Sequence, residues 1–276
     1  MTSPGEYRKA FDFSAKTVLI TAGAGTLGPE FAKGFLQHGA QIVIADINAE
    51  ATQRVSDDLE KHYPGRVLGL VADIADPVSV KAMVARTVER FGAIDILLNN
   101  AAYFPDDFQA FFTPFEDYGL AQWRKVMAVN IDGMFLVAQA AGKQMLNQPR
   151  RGVIIQTSSI YGVLASDARI YQGSEYLGSP INNPAAYAAS KAAVIGLSRW
   201  LAAYWADKGI RVNTIAPGGV ESGQNETFTT RYGARVPMGR MARVDEMTST
   251  VLYLASDASS YVTGQCIVVD GGLSAW

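Results

Sequence analysis

The feature that most constrains the fold is a series of seven short runs of β-branched and other apolar residues, separated by longer spacers. The runs span residues 17–21, 41–45, 67–72, 94–99, 152–157, 211–216 and 265–269. Most are nearly continuous apolar segments, as expected of parallel strands covered on both faces, and each spacer is long enough for a helical crossover. The pattern predicts an α/β fold with a doubly wound parallel sheet of seven strands.

The 276 residues are expected to form a single domain, because α/β domains often reach about 250 residues and no linker rich in Pro, Ser or Gly divides the sequence. Neither an internal repeat nor a low-complexity tract is visible. Two irregular insertions interrupt the pattern, at about residues 165–185 and 219–240. We therefore expect one unit over residues 1–276, with the two insertions acting as lids over a substrate.

The charge balance argues against nucleic acids and membranes as partners. With 24 basic and 26 acidic residues, a net charge of −2 and no run of like charges, attraction to phosphate backbones or anionic lipid is weak. The sequence contains no apolar run of the roughly 18 residues that a membrane span needs, and the segment MTSPGEYRKAFDFS lacks the apolar core of a signal sequence. These features predict a cytoplasmic protein.

Metal and thiol chemistry are not expected. The two histidines, His38 and His62, are too few and too scattered for a zinc site. The single cysteine, Cys266, lies in the apolar run QCIVVD with no histidine near it in sequence. We therefore interpret Cys266 as a packing residue rather than a nucleophile.

A glycine cluster follows the first predicted strand. Gly23, Gly25 and Gly28 form G-x-G-x-x-G between a strand and a helix, where the backbone is able to approach a pyrophosphate and the helix N-terminus favours the anion. The second strand ends in Asp46, which lies 46 − 28 = 18 residues beyond the last glycine. A carboxylate there accepts hydrogen bonds from the adenosine ribose and repels a 2′-phosphate, so the pattern favours NAD over NADP. The alternative is a glycine turn followed by a surface aspartate.

A tyrosine and a lysine lie one turn apart in the apolar helical segment NPAAYAASKAAVIGLSRWLAAY. Tyr187 and Lys191 are four residues apart and therefore share one helix face. A nearby ammonium stabilises a phenolate and lowers the pKa of the tyrosine, so the pair is able to move the proton that accompanies hydride transfer. Most such pairs on helices are incidental, so the surrounding motifs decide the interpretation.

Those motifs resemble the short-chain dehydrogenase/reductase family. They are TAGAGTLG, Asp46, VADIAD with Asp73, LNNAA, VMAVNIDG with Asn130, QTSS ending at Ser159, YAASK and RVNTIAPGG, and they match in order and spacing over nearly the whole chain. The resemblance implies a Rossmann-type, three-layer αβα sandwich, a nicotinamide cofactor and an assembly of two or four subunits.

The resemblance also implies roles for individual residues. Tyr187 would be the catalytic acid/base, Lys191 its electrostatic partner, Ser159 the group that orients the substrate oxygen, and Asn130 the holder of a water in a proton relay. The implied cofactor-binding residues are Gly23, Gly25, Thr26, Leu27, Gly28, Asp46, Ile47, Asp73, Ile74, Asn100, Ala101, Tyr187, Lys191, Pro217, Gly218, Val220 and Ser222.

Three of these roles have alternatives. Asn130 could be a polar core residue that bends its helix, Ser158 rather than Ser159 could face the substrate, and Asn100 could be purely structural in a turn.

The sequence departs from the family pattern in the glycine loop and after the fourth strand. Ala22 and Thr26 stand at the first two glycine positions of the usual loop, so the phosphate contacts are expected to differ. Ala102 replaces the final glycine of the usual NNAG motif. This replacement is tolerated if the residue does not require a positive φ.

The largest departure is the interval between Ser159 and Tyr187, which is 187 − 159 = 28 residues, about twice the usual length. Both insertions are rich in hydrogen-bonding groups, which suit a polyhydroxylated substrate such as a sugar or sugar acid. The arginines could bind an anionic group of the substrate, or they could make surface or subunit salt bridges. The predicted substrate residues are Ser159, Tyr161, Arg169, Tyr187, Gly219, Gln224, Asn225 and Arg231.

The sequence thus predicts an NAD-dependent oxidoreductase that oxidises a hydroxyl of a polar substrate, with Tyr187 as the general base. The alternatives are a carbonyl reductase, a dehydratase or epimerase with bound NAD, and a non-catalytic NAD-binding redox sensor. Only 18% of the residues are charged, against about 25% in ordinary domains. This shortage, with apolar helices predicted over 121–146 and 185–206, predicts surface buried in a homotetramer.

Overall fold

A computed structural model describes residues 9–176 and 178–276. The first eight residues, which belong to the segment without a signal-sequence core, and residue 177 in the first insertion lie outside the described residues. The strands are β1 Thr17–Thr21, β2 Gln41–Asp46, β3 Val67–Val71, β4 Ile96–Asn99, β5 Val153–Thr157, β6 Glu175–Tyr176, β7 Ser179–Pro180, β8 Arg211–Pro217 and β9 Cys266–Val269.

Seven strands form one parallel sheet in the order β3-β2-β1-β4-β5-β8-β9. This confirms the predicted sheet, and every predicted strand agrees with an observed one to within two residues at either end. The strand order reverses direction between β1 and β4. In an open parallel sheet, the crevice at such a reversal, outside the carboxyl ends of the strands, is the usual place for a ligand.

The helices are α1 Gly28–Gln37, α2 Ala49–His62, α3 Pro77–Phe91, α4 Phe108–Phe111, α5 Leu120–Met127, α6 Met134–Asn147, α7 Ala185–Trp205, α8 Glu226–Gly233 and α9 Thr248–Ala255. Local signals explain several boundaries. Asn48 and Asp76 accept hydrogen bonds from backbone N–H groups in the first turns of α2 and α3, which are otherwise unpaired. Gly92 ends α3 in the left-handed conformation.

Helices cover both faces of the sheet, so the architecture is the expected three-layer sandwich. On one face, α1 and α9 pack against alternate sheet residues such as Ile20 and Ile44. On the other face, α3, α6 and α7 pack against the intervening residues, including Leu19 and Val43. Because successive strand residues point to opposite faces, the continuous apolar runs supply both cores.

The helix predicted over 121–146 is interrupted in the structure. A π-helical segment, Ala128–Gly133, joins α5 to α6 and contains Asn130. Such one-turn widenings of a helix often occur at functional sites.

The two insertions pack against each other beyond the carboxyl edge of the sheet. The first contains the antiparallel ribbon of β6 and β7, and the second contains α8. Phe228 and Tyr232 from α8 form an apolar cluster with Ile170 of the first insertion and Ile160. Among the described residues, no helix combines the length and apolarity required to cross a membrane.

Candidate active site

A cavity of about 800 Å³ lies at the carboxyl edge of the sheet, where the loops after β1 to β5 and β8 converge. The structure brings most of the predicted site residues together on its wall: Gly25, Thr26, Leu27, Asp46, Ile47, Asp73, Ile74, Asn100, Ala101, Ser159, Tyr187, Lys191, Pro217, Gly218 and Val220. Residues from far apart in the sequence therefore form one site.

Gly23 and Gly28 shape the cavity by close packing rather than by lining it. A Cβ on Gly28 would lie 2.4 Å from the carbonyl oxygen of Gly23, so the start of α1 packs directly on the preceding turn. Gly25, by contrast, lines the cavity, and a Cβ there would be 3.3 Å from the nearest atom, the carbonyl oxygen of Ala22. The turn thus directs the N-terminus of α1 at the cavity. A helix N-terminus is a favourable site for a phosphate.

The structure shows what each of two departures from the family motif, Ala22 and Ala102, does to the backbone. Ala22 adopts φ of 47°, a left-handed conformation that glycine accommodates without strain and that costs other residues about 1–2 kcal/mol. Ala22 therefore occupies a position where glycine is the easier residue. Ala102 has no positive φ, so its replacement of glycine causes no backbone strain.

Asp46 ends β2 beside the glycine turn and lines the cavity. One carboxylate oxygen accepts a hydrogen bond from Ala24 N at 3.2 Å and the other from Asn48 N at 3.0 Å. These bonds fix the carboxylate and leave further lone pairs for a ligand. Lys191 is the only lysine or arginine on the described cavity wall, and it lies on α7 rather than on the loop after β2.

Asn100 and Ala101 follow β4, and hydrogen bonds from their backbone N–H groups hold them in place. The N–H groups of Asn100 and Ala101 donate to Thr21 Oγ1 at 2.9 and 3.2 Å, which ties this loop to the end of β1. Both residues line the cavity. Asn100 therefore stabilises the loop through its backbone, as the structural alternative expected, and it also lies at the predicted cofactor cleft.

Ser159, Tyr187 and Lys191 lie at the other end of the cavity. The Ser159 side chain lies close enough to the Tyr187 phenol to lower its pKa, and both residues line the cavity. Lys191 Nζ donates to the carbonyl oxygen of Thr157 at 3.0 Å and lies 5.7 Å from the centroid of the Tyr187 ring. Ser158 instead donates to the carbonyl oxygen of Lys191 at 2.6 Å, so Ser159 is the serine that faces the tyrosine.

The electrostatics of this group differ from the sequence argument, which expected Lys191 to lower the pKa of Tyr187. Burial raises the pKa of Tyr187, and the neighbouring Ser159 side chain is the smaller, opposing effect. Burial also lowers the pKa of Lys191 to about 8. Both shifts have one cause, because dense protein around the phenol and the ammonium disfavours their charged forms.

Asn130 is fully buried and does not line the cavity. Its side chain accepts a hydrogen bond from Tyr103 N at 2.7 Å and donates one to Ser190 Oγ at 2.9 Å. Ser190 in turn donates to the carbonyl oxygen of Tyr187 at 2.8 Å. The side chain therefore links the π-helical segment to the helix that carries Tyr187, and the proton-relay role stays a prediction.

Comparison with known proteins agrees with this geometry. Residues 22–274 match the family model described as enoyl-(acyl carrier protein) reductase. The chain is 35% identical to D-threitol dehydrogenase of Mycolicibacterium smegmatis over 279 residues, which cover 99% of this chain and 98% of the relative. It is also 35% identical to a 3-oxoacyl-(acyl carrier protein) reductase of Thermotoga maritima, covering 94% and 97% of the two chains.

The chain belongs to the short-chain dehydrogenase/reductase family.

Solved structures of family members agree over nearly the full length. A short-chain dehydrogenase from Leptospira borgpetersenii with bound NAD⁺ has a TM-score of 0.83 at 32% identity, covering 99% of this chain and 97% of that one. A gluconate 5-dehydrogenase from Burkholderia cenocepacia in complex with NADP and tartrate has the same TM-score and identity, covering 97% and 98%. This short-chain dehydrogenase/reductase is therefore an oxidoreductase whose cavity fits a nicotinamide dinucleotide.

The predicted arginines of the lids are used within the protein. Arg169 forms an ion pair with Asp167 at 2.7 Å, and Arg235 from the second insertion contacts the same carboxylate. Arg231 donates to the carbonyl oxygen of Gln172. None of these arginines lines the main cavity. The ion pairs of Arg169 and Arg235 match the salt-bridge alternative, and the contacts of Arg235 and Arg231 join the two insertions.

The remaining predicted residues of the second insertion also make internal contacts. Gln224 donates to Val220 O at 3.0 Å and to Ser222 Oγ at 2.9 Å. Asn225 caps α8 and donates to Glu175 O at 2.9 Å. Gly219 donates its N–H to the hydroxyl of Tyr232. Of the predicted substrate residues, the structure places only Ser159 and Tyr187 on the main cavity.

Sequence reasoning missed two aromatic residues on the cavity wall, Tyr103 and Phe104. They directly follow the LNNAA motif, and that position was the available signal. Tyr103 donates its hydroxyl to Asp106 at 2.7 Å, whereas Phe104 is 73% exposed. Within the described ranges, no group of three or more His, Cys, Asp or Glu side chains is arranged to hold a metal ion.

Proposed function

We propose that this protein is an NAD-dependent dehydrogenase that oxidises a secondary hydroxyl of a neutral polyol. The observation that carries the proposal is the arrangement of one cavity, with Ser159, Tyr187 and Lys191 at one end and the Asp46 carboxylate at the other. A dinucleotide that spans this cavity would bring its nicotinamide to the tyrosine and its adenosine ribose to Asp46.

The chain's own groups supply binding and proton transfer. Ser159 orients the substrate hydroxyl, and Tyr187 as phenolate removes its proton. The Lys191 ammonium, 5.7 Å from the centroid of the Tyr187 ring, would offset part of the cost that burial imposes on that phenolate. NAD⁺, when bound, supplies the acceptor for the hydride. Asn130 and Ser190 position the helix that carries the tyrosine.

Two features support NAD over NADP. Asp46 presents a fixed carboxylate beside the glycine turn, where the 2′-phosphate of NADP would meet a like charge. The loops after β2 and β3 bring Asp46, Ile47, Asn48 and Asp73 to the cavity wall, and the residues that these two loops contribute to it include no lysine or arginine for such a phosphate.

A neutral polyol fits the lids better than a sugar acid. Asp167 binds Arg169 and Arg235, and Gln172 binds Arg231, so these arginines already have partners. The relative that oxidises D-threitol supports the same class, because D-threitol is an uncharged polyol.

The test is the Tyr187→Phe substitution, which removes the hydroxyl and retains the ring. We expect kcat for D-threitol, followed as NADH formation, to fall about 10²- to 10⁴-fold because proton transfer is lost. NAD⁺ binding, measured by calorimetry, should change by less than about 3-fold because the phenol only adjoins the nicotinamide end. The matched control is Tyr253→Phe on α9, which should retain full activity. More than a tenth of wild-type turnover in Tyr187→Phe would disprove the mechanism.

A second candidate is a carbonyl reductase that runs the same step in reverse. The raised pKa of Tyr187 favours this direction, because a protonated phenol is the acid that reduction requires. The 3-oxoacyl reductase relative is consistent with it. Rates of alcohol oxidation and ketone reduction measured at one pH, with one pair of substrates, distinguish the two directions.

We also propose that the protein is a homotetramer with a single nucleotide-binding unit per subunit. Support comes from exposed aromatic residues on the helices of one face, where Trp200 and Tyr204 of α7 are stacked with ring centroids 4.8 Å apart. Trp200 is 60% exposed and Phe135 of α6 is 44% exposed. Such patches are typical of subunit contacts. The cytoplasmic location stays a prediction of the sequence.

A further inference from the structure

The stretch that follows the LNNAA motif is rich in aromatic residues. Seven of the 16 residues in 103–118, which we call the aromatic segment, are Phe or Tyr, against 10% aromatic residues in the whole chain. The first two, Tyr103 and Phe104, line the main cavity, and Phe104 is 73% exposed. A single exposed ring is ordinary on an open surface, but this one lies on the wall of the candidate active site.

Hydrogen bonds place the start of the aromatic segment at the Tyr187 end of the cavity. Tyr103 N donates to the Asn130 side chain at 2.7 Å, and that side chain donates to Ser190 Oγ at 2.9 Å. Ser190 Oγ in turn donates to the carbonyl oxygen of Tyr187 at 2.8 Å. Three direct hydrogen bonds thus connect the residue before Phe104 to the backbone of Tyr187.

Two further contacts hold the aromatic segment against the start of α7. Phe111 packs with Ala186 in a buried cluster, and the Tyr103 ring lies against that cluster. Asn182, shortly before α7, donates through Nδ2 to Phe112 O at 2.6 Å. Because Ala186 directly precedes the proposed general base, the segment and the reacting group share one rigid support.

A series of ring contacts orients the Phe104 side chain despite its exposure. Its ring meets that of Phe108 edge to face, with centroids 5.5 Å apart and an interplanar angle of 85°. Phe108 stacks on Phe112 at 6.2 Å, and Phe112 meets the buried Phe111 at 5.1 Å. Both geometries are favourable for aromatic pairs. The exposed ring is therefore preorganised, which lowers the entropy that a ligand loses by ordering it.

The wall around Phe104 offers apolar surface rather than a free hydrogen-bond donor. Tyr103 donates its single hydroxyl proton to Asp106 at 2.7 Å, and Lys125 pairs with the same carboxylate at 2.9 Å. A substrate hydroxyl pressed against the Phe104 ring would lose its hydrogen bonds with water, whereas C–H groups are favourably buried there. Small-molecule sites commonly combine such an apolar wall with a few polar groups that fix orientation.

We infer that Phe104 determines specificity by packing its ring against the C–H face of the substrate carbon next to the reacting one. Ser159 and Tyr187 hold the reacting hydroxyl at the same time. The inference rests on the proposed function and extends it from the reacting hydroxyl to the adjoining part of the substrate. A substrate whose configuration turns a hydroxyl towards the ring is disfavoured.

The test measures Phe104→Ala on D-threitol and erythritol, which differ by inversion of one carbon. Loss of the apolar contact should lower kcat/KM for D-threitol roughly 5- to 30-fold, mainly through KM. For erythritol, whose inverted carbon turns a hydroxyl towards the ring, the loss should be at least about five times smaller. Phe104→Tyr, which keeps the ring, should retain the wild-type preference. An equal loss on both substrates, or no loss, would overturn the inference.

Phe115→Ala is the matched control for this comparison. Phe115 belongs to the aromatic segment and is 74% exposed, but it is not among the described residues that line the main cavity. Its replacement should leave kcat/KM for both substrates unchanged. A loss equal to that of Phe104→Ala would show that the whole segment, rather than the ring on the wall, is responsible.

A binding measurement separates the inference from the proposed function. Phe104→Trp is combined with Tyr187→Phe and saturated with NAD⁺, and tryptophan fluorescence is followed as D-threitol is added. A change that is absent when Phe115→Trp replaces Phe104→Trp supports the contact even if the wild type oxidises no polyol. No change refutes the contact. Retained turnover in Tyr187→Phe alone would refute the mechanism and leave the contact standing.

Two measurements on Phe104→Ala exclude other roles of the exposed ring. NAD⁺ binding, followed by calorimetry, should change by less than about 2-fold, because the ring is assigned to the substrate rather than to the cofactor. Light scattering should give the same mass as the wild type. Weaker NAD⁺ binding would assign the ring to the cofactor, and a smaller mass would assign it to a subunit contact. Either result would overturn the inference.

Discussion

Replacement of Asp46 by alanine tests how the protein selects its cofactor. The carboxylate is held by Ala24 N and Asn48 N, and its remaining lone pairs are expected to accept both ribose hydroxyls of NAD. Hydrogen bonds to a charged group contribute about 1.5–3 kcal/mol. Asp46→Ala should therefore weaken NAD⁺ binding about 10- to 150-fold.

The same substitution should strengthen NADP⁺ binding. A carboxylate about 4 Å from the 2′-phosphate would repel it by about 1 kcal/mol per unit charge in water and about 4 kcal/mol near a protein surface. Because Asp46 is partly exposed, the lower value is the better guide, and about a 10-fold gain is expected. The ratio of the two dissociation constants should thus shift by about 100-fold or more.

Calorimetric titration of both cofactors at one fixed salt concentration measures this ratio. Asp73→Ala is the matched control, because Asp73 is a second carboxylate on the same cavity wall, after β3. Asp73 should affect both cofactors alike through the adenine. An unchanged ratio in Asp46→Ala, or an equal shift in Asp73→Ala, would refute the assignment of Asp46 to the ribose.

Two further predictions concern the glycine turn and the buried lysine. Gly28→Ala places a Cβ 2.4 Å from Gly23 O, so we expect a loss of about 1–3 kcal/mol in unfolding free energy and weaker NAD⁺ binding. Gly25→Ala, with 3.3 Å of space, should retain the wild-type melting temperature, and equal losses would contradict the packing argument. The pKa of Lys191 is about 8 in the folded protein against 10.5 for the free side chain, so the unfolded chain binds more protons between these values and stability rises with pH. Urea unfolding at pH 7 and 9.5 should show a rise of up to about 2 kcal/mol that is absent in Lys191→Met; the same rise in both proteins would exclude the lysine as its source.

The elements that were predicted most accurately depend on local sequence. The apolar runs identified all seven strands of the main sheet because buried parallel strands require continuous apolar residues. The spacing of Tyr187 and Lys191 placed both on one face of α7, since helix periodicity follows from backbone geometry. Asp46 was located by its distance from the glycines, which a strand–turn–helix–strand unit sets.

The internal contacts of the insertions could not be predicted from the sequence, because several of them join distant parts of the chain. Asp167 and Arg235 are 68 residues apart, and neither has a periodic pattern that indicates its partner. The sequence therefore offered Arg169 and Arg231 as substrate ligands, although the fold pairs both internally.

The sequence by itself determined the α/β sheet, the family and the residue types that we propose for catalysis. Only the tertiary structure decided the direction of the pKa shift of Tyr187, the linking role of Asn130 and the internal pairing of Arg169 and Arg231. The physical reason is that strands and helices follow from short-range periodicity. Desolvation and hydrogen-bond pairing instead depend on which distant groups the fold brings together.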